Sequence, residues 1–270
     1  MIFHETSKYC YDWLKAQPFV KEESLTDWLL YCISNHNENV YYKAFTKNEE
    51  ASNGSDWEWW ILTNESSYTK AYRFLIQAKK LKTNDRDNYP LISYSNQNGH
   101  QIDLLLTAAK ERNALPLYLY YSCCLPNINE QCNNIDYISE KILRWCKQCC
   151  NGCYLTSAFA LYRNVFSSPR RKIMDQELIN SSFGLSLLDI IWNDSQTTNT
   201  LLHKLNEHFK ISNNNINDSK GIDHNYNDLP KYVKTFIKRK DENLIWLDQE
   251  FHYEVGNLAG IVIIDNRNIE

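Results

Sequence analysis

No apolar run in this 270-residue sequence approaches the roughly 20 residues that a bilayer-crossing helix needs, so no membrane span is expected. The opening residues MIFHETSKYC lack the apolar stretch of a secretory signal, which points to the cytoplasm. Excess positive charge is missing too. The formal net charge is -4, so a nucleic-acid partner would have to be met by a local patch rather than by the field of the whole molecule. No internal repeat of fixed period is present, which argues against a solenoid or array. The seven histidines show no metal-ligand spacing. The nine cysteines are odd in number and come without secretory context, so reduced thiols fit better than a disulfide framework.

What is present suits a soluble globular chain. The hydrophobic fraction of 43% allows a sizeable core, and 23% charged residues is an ordinary value. The 18 Tyr and 8 Trp are high for this length and read as packing residues, because counts alone do not establish stacking on bases.

Periodicity supplies the elements. Leu25, Trp28, Leu29 and Cys32 recur at helical spacing, which predicts a helix over 23–35 with Ser24 as its N-cap. An extended run follows at 40–45, then a turn-like stretch at 48–55 containing Gly54. DWEWWIL at 56–62 and AYRFLIQAK at 71–79 read as strands of a hairpin. Residues 80–99 are polar and loop-like. Residues 101–113 carry Ile102, Leu105, Leu106 and Ala109 on one helical stripe, and LPLYLYY from 115 suits a buried strand. Residues 136–150 and 185–210 read as mainly helical, 211–228 as an Asn/Asp-rich loop, and 256–264 as containing a strand. The order helix, strand, strand, strand, helix, strand predicts an α/β fold with a mixed central sheet flanked by helices. The expected division is a core over 1–130 and a mainly helical C-terminal extension over 131–270, which can also be part of the same globule.

Strand period places Asp56 and Glu58 on one face and Trp57, Trp59 and Ile61 on the other. Arg73, Leu75, Gln77 and Lys79 share a face of the next strand. Paired as a hairpin, the two strands bring Asp56, Gln77 and Lys79 together. Polar groups concentrated on one sheet face are costly unless paired, so they ask for a reason. Phosphodiester hydrolysis supplies one. A hard Mg²⁺ (or Mn²⁺) takes oxygen ligands such as Asp56 and the Gln77 carbonyl, polarises a phosphoryl oxygen and acidifies a bound water. An ammonium such as Lys79 orients that water and stabilises charge developing in the transition state. A carboxylate from the first helix would complete the metal set, with Glu23 the best-placed candidate and Glu22 second.

GSDWEWW at 54–60 followed by QAK at 77–79 resembles the PD-(D/E)XK nuclease superfamily, in the branch that carries Gln at the second acidic position. More narrowly, EESLTDWLL at 22–30, NEEASNGSDWEWW at 48–60 and IQAKKL at 76–81 resemble DUF6615, a bacterial family of unknown function. The resemblance is read over roughly residues 20–122. It implies a restriction-endonuclease-like αβββαβ core, with Asp56 at the motif Asp, Gln77 at the variant acidic position and Lys79 at the motif Lys. Glu23 matches the first-helix acid. Ser55 stands where the motif has Pro.

The remaining candidates have plainer readings beside the functional ones. Glu58 is a salt-bridged surface carboxylate or a second ligand. Glu49 and Glu50 assist the metal, hold Arg73, or belong to a solvated turn. Lys80 and Lys82 form a basic stretch able to touch phosphate, as do Arg170 and Arg171 in SSPRRK. Cys146, Cys149, Cys150 and Cys153 form CxxCCxxC, whose abutting pairs cannot easily wrap one zinc ion. The expected function is a Mg²⁺-dependent endonuclease acting on double-stranded DNA, in restriction or anti-phage defence as the resemblance implies; nothing in the sequence separates this from a nuclease acting on RNA. A homodimer would suit cutting of both strands. The alternative is a nuclease-like fold without catalysis that serves as a nucleic-acid-binding or assembly subunit.

Overall fold

In the computed structural model of the protein the described residues are 2–36, 39–44, 54–65, 68–84, 87–89, 95–96, 99–123, 152–159, 161–162, 182–185, 188, 223–238 and 260–267. In chain order the elements are α1 (Ile2–Ala16), α2 (Glu22–Asn35), β1 (Val40–Ala44), β2 (Trp57–Glu65), β3 (Tyr68–Lys80), β4 (Lys82–Asn84), β5 (Asp87–Tyr89), β6 (Ser95–Asn96) and β7 (Gly99–His100). They continue with α3 (Gln101–Glu111), β8 (Leu115–Tyr121), β9 (Cys153–Ser157), β10 (Ser182–Gly184), β11 (Asp223–Asn225), a 3₁₀ turn (Tyr226–Asp228), α4 (Lys231–Lys238) and β12 (Gly260–Asp265).

The expected hairpin forms. β2 and β3 are antiparallel, with Trp57 opposite Ile76 and Glu65 opposite Tyr68. Alternation sends Trp57, Trp59 and Ile61 with Tyr72, Phe74 and Ile76 to one face. That face packs on α1 and α2 through Phe3, Cys10, Leu14, Leu25, Leu29 and Ile33. Trp60, Leu62, Ala71 and Leu75 line the opposite face, against Ile102 and Leu105 of α3 and Val233 and Phe236 of α4. Because both faces are covered, the strands are apolar on both sides, and their aromatic and β-branched content follows from that double burial.

Around the hairpin the mixed sheet has eight strands in the order β1-β12-β2-β3-β8-β9-β10, with β11 also paired to β3. β8 runs parallel to β3, with Gln77 opposite Tyr118 and Lys79 opposite Tyr120. The α3 crossover is what a parallel pair requires. β12 runs parallel to β2 and antiparallel to β1, so a strand from the chain's end lies between the first two strands of the sequence. The segments β9 to β12, all beyond residue 131, therefore join the same sheet as the hairpin. No helix among the described residues is long and apolar enough to cross a membrane.

Several local expectations are corrected. α2 starts at Glu22, with Lys21 as N-cap and no side-chain cap bond, so Ser24 lies inside the helix. The polar segment at 80–99 is not wholly loop: β4 pairs β5 and β6 pairs β7. The stretch 211–228 ends in β11 and the 3₁₀ turn. The helix expected at 136–150 lies outside the described residues, as does nearly all of that expected at 185–210.

Gly54 fixes how the turn before β2 meets α3. Its φ is +72°, and an added Cβ would fall 2.4 Å from the Gln101 carbonyl oxygen and 2.7 Å from the Leu105 amide nitrogen. Both neighbours are backbone, so neither can swing away, and the left-handed φ adds strain for any L side chain. Gly54→Ala is expected to destabilise the fold by roughly 2 kcal/mol or more, read as a lower urea midpoint at unchanged m-value. An unchanged midpoint would show that the turn does not need glycine.

Candidate active site

Asp56 sits one residue before β2, and its N–H donates to the Ile76 carbonyl at 2.9 Å. This extends the hairpin register by one position and brings Asp56 opposite Gln77. Asp56 Oδ2 accepts hydrogen bonds from Gln77 Nε2 at 2.6 Å and from the Ala78 N–H at 2.8 Å. Gln77 is buried, and its Nε2 also donates to the Ala78 carbonyl at 3.1 Å. Its carbonyl oxygen accepts from Gln101 Nε2, in the first turn of α3, at 2.6 Å. Asp56 and Gln77 thus converge as the strand period predicts, but the amide nitrogen of Gln77, not its oxygen, faces the carboxylate.

Lys79, two residues on, shares the Gln77 face. Its ammonium lies 3.6 Å from Glu22 Oε1 at the start of α2. Glu22 Oε2 accepts from the Lys80 N–H at 2.5 Å. Burial raises the pKa of Glu22, while the Lys79 charge and the Lys80 N–H work in the opposite direction. Glu23 is exposed. The acid of the first helix that meets the site is therefore Glu22, because one residue turns a helix by about 100° and carries Glu23 away. Lys80 points to the other side of the strand, where its ammonium donates to the carbonyls of Pro18 and Val20 at 2.6 and 2.8 Å. Lys82 opens β4, and its side chain lies outside the described residues, as do Glu49, Glu50, Arg170 and Arg171.

Glu58 is neither on the surface nor open to a ligand. It is fully buried and accepts from Arg73 at 2.7 Å, from the Trp60 indole N–H and from the Tyr232 hydroxyl of α4. Arg112 lies 3.6 Å away. Arg73 also stacks its guanidinium 5.0 Å over the Trp60 ring. Burial works against the charge of Arg73, but Glu58 and Tyr232 outweigh it and hold its pKa up. Burial, with Glu58 beside it, raises the pKa of the Tyr232 hydroxyl, which stays protonated and donates. This is a buried charge cluster that ties α4 to the hairpin, with the Arg73 Nε left without a hydrogen-bond partner.

Two further residues on the site's face went unremarked in the sequence beyond their strand. Tyr118 and Tyr120 stack with ring centroids 5.8 Å apart and planes 10° from parallel. Their hydroxyls are buried without a hydrogen-bond partner. Burial, and then the Asp56 and Asp103 charges, raises the pKa of Tyr118; burial, Tyr118 and Glu22 raise that of Tyr120. The only sequence signal is alternation in LPLYLYY, which puts both tyrosines on one face. An orphaned buried hydroxyl is costly, so Tyr118→Phe is expected to raise stability by roughly 1 kcal/mol in a chemical melt. A loss of similar size would mean that the hydroxyl has a partner.

Among the described residues no three His, Cys, Asp or Glu side chains form a group able to hold a metal ion. The four described cysteines, Cys10, Cys32, Cys123 and Cys153, form no disulfide. Cys153 is a buried residue of β9, and the other three cysteines of CxxCCxxC lie outside the described residues. A comparison with curated proteins finds no match. A family model does match, over residues 1–269, well beyond the segment that carried the resemblance. The chain belongs, over essentially its whole length, to the family of unknown function DUF6615.

Proposed function

We propose that the chain is a metal-dependent nuclease that hydrolyses phosphodiester bonds of DNA, with a restriction-endonuclease-like core. The observation that carries this reading is the Asp56–Gln77 hydrogen bond, with Lys79 two residues further along the same strand and paired to Glu22. With the separate pairs β4-β5 and β6-β7 set aside, the chain order α2, β1, β2, β3, α3, β8 is that of the αβββαβ core, although β12 separates β1 from β2. The residues fit a hard divalent cation by type: Asp56, Gln77 and Glu22 offer only oxygen donors, while no histidine or cysteine stands among them. Bound there, Mg²⁺ or Mn²⁺ would supply Lewis-acid polarisation and a more acidic water.

The chain's own groups have separate tasks. The Ala78 N–H fixes the Asp56 carboxylate at the end of the hairpin strands. Glu22 holds the Lys79 ammonium on the same face, where a positive charge stabilises the phosphorane-like oxygens of the transition state. Tyr118 and Tyr120, buried beside Gln77 and Lys79 on the neighbouring strand, keep water from that side, which strengthens the charge interactions next to them. Double-stranded DNA as substrate, a cytoplasmic setting, a homodimer and a role in phage defence belong to the same proposal.

One observation favours a second reading. The Gln77 amide nitrogen already satisfies Asp56, which is what a nuclease-like fold kept for binding or assembly would show. Incubating the purified chain with plasmid, single-stranded DNA and RNA, each with Mg²⁺ and with EDTA, separates the two. Metal-dependent cleavage of DNA is the expected result. Binding without cleavage of any substrate would establish the second reading.

A further inference from the structure

The hydrogen bonds from Gln101 through Gln77 to Asp56 run in one direction. Gln101 Nε2 donates to Gln77 Oε1, and Gln77 Nε2 donates to Asp56 Oδ2, each at 2.6 Å. At the head of this chain Gln101 Oε1 is buried and meets no donor. Nothing at that end holds Gln101 in its direction. Direction is set at the other end, where the Asp56 carboxylate and the Ala78 carbonyl both accept from Gln77 Nε2. A primary amide turned by half a turn exchanges oxygen for nitrogen in the same space. If Gln77 turns it gives up its bond to the Ala78 carbonyl, but Gln101 can turn with it, and the bond between the two glutamines is kept with donor and acceptor exchanged.

We propose that Gln101 is a positioning residue that lets Gln77 present either its N–H or its oxygen beside Asp56. The proposal rests on the metal-dependent reading of the site. In the cation-free protein the N–H direction wins, since two facing oxygens repel. With a divalent cation held by Asp56, the oxygen direction wins, and the Gln77 N–H then needs an acceptor on its far side. Gln101 is that acceptor. Donor-only or acceptor-only residues cannot serve both states, and an apolar residue serves neither. Gln101 stands in the first turn of α3, against the Gly54 backbone, so its position is fixed by the fold and only its amide need turn.

The test uses the full chain, Mg²⁺ as probe, calorimetry, and ¹H–¹⁵N spectra of the side-chain amides. In the parent protein, Mg²⁺ is expected to move the Gln77 and Gln101 NH₂ signals together. Gln101→Glu can only accept. It should shift the Gln77 signals toward their Mg²⁺-bound positions before any Mg²⁺ is added, and tighten Mg²⁺ binding by about fivefold. Part of any tightening is added charge, so the substitution is repeated beside Gln77→Glu, which has no amide to orient. The tightening should be smaller there, as expected for coupled residues. Gln101→Met, which suits a helix equally well, should leave the Gln77 signals broadened or split between two states. Mg²⁺ binding with the Gln101 signals unmoved, or equal tightening in both backgrounds, would overturn the proposal while leaving the metal site standing. No binding heat and no moved signal in the parent protein would remove the metal reading itself.

Discussion

Lys79→Ala is expected to lower DNA cleavage by roughly a hundred- to a thousandfold while leaving the fold and Mg²⁺ binding intact. The ammonium donates no metal ligand. In the proposed reaction its contribution would lie in charge that develops only as the phosphodiester opens, so its loss would fall on turnover rather than on binding. The structure adds a second consequence. Lys79 is the cation that opposes the burial-driven rise of the Glu22 pKa. Without it, Glu22 is protonated over a wider pH range, and the substitution should also move the acid limb of the pH profile upward. Calorimetry beside a plasmid-nicking assay measures both. A variant that nicks as fast as the parent would make Lys79 a plain surface lysine and leave the binding-module reading.

Glu58→Ala is expected to cost roughly 3–5 kcal/mol of stability, the largest effect of any single substitution considered. The carboxylate is fully buried, and its loss strands the Arg73 charge, the Trp60 indole N–H and the Tyr232 hydroxyl together. Glu58→Gln should lose less, because one amide oxygen still accepts while its NH₂ meets the donors already present. Equilibrium denaturation gives the stability. The discriminating result is cleavage per folded molecule: it should be unchanged in Glu58→Gln, since Glu58 serves the α4 contact. A collapse of cleavage at preserved stability would instead restore Glu58 as a second ligand.

Where local pattern decides, the sequence was readable. The aromatic alternation of DWEWWIL and AYRFLIQAK sets β2 and β3, and the same period of two brings Asp56, Gln77 and Lys79 to one face. The stripe Ile102, Leu105 and Ala109 sets α3. Long-range pairing was not readable. β12 enters between β1 and β2 from 200 residues away, and nothing in an apolar hexamer names its neighbours. α1, whose Phe3, Cys10 and Leu14 reach the core, drew no notice because its helical stripe is sparse. Glu58 looked like a surface carboxylate because its partner Tyr232 lies 174 positions on. The choice of Glu23 over Glu22 turned on one residue of helix phase, which the absence of a side-chain cap left open. The direction of the Gln77 amide is set by Asp56 and the Ala78 carbonyl and carried on to Gln101, an arrangement with no sequence signature.

Under the proposed function, Asp56 and its neighbours cut DNA with a divalent cation. Purified parent and Asp56→Asn, which keeps shape and removes the charge, should be incubated side by side with supercoiled plasmid and Mg²⁺. The parent is predicted to convert the plasmid to nicked or linear forms, EDTA to stop it, and Asp56→Asn to leave it supercoiled. Equal cutting by Asp56→Asn, or intact plasmid in every lane with Mg²⁺ and with Mn²⁺, would contradict the assignment.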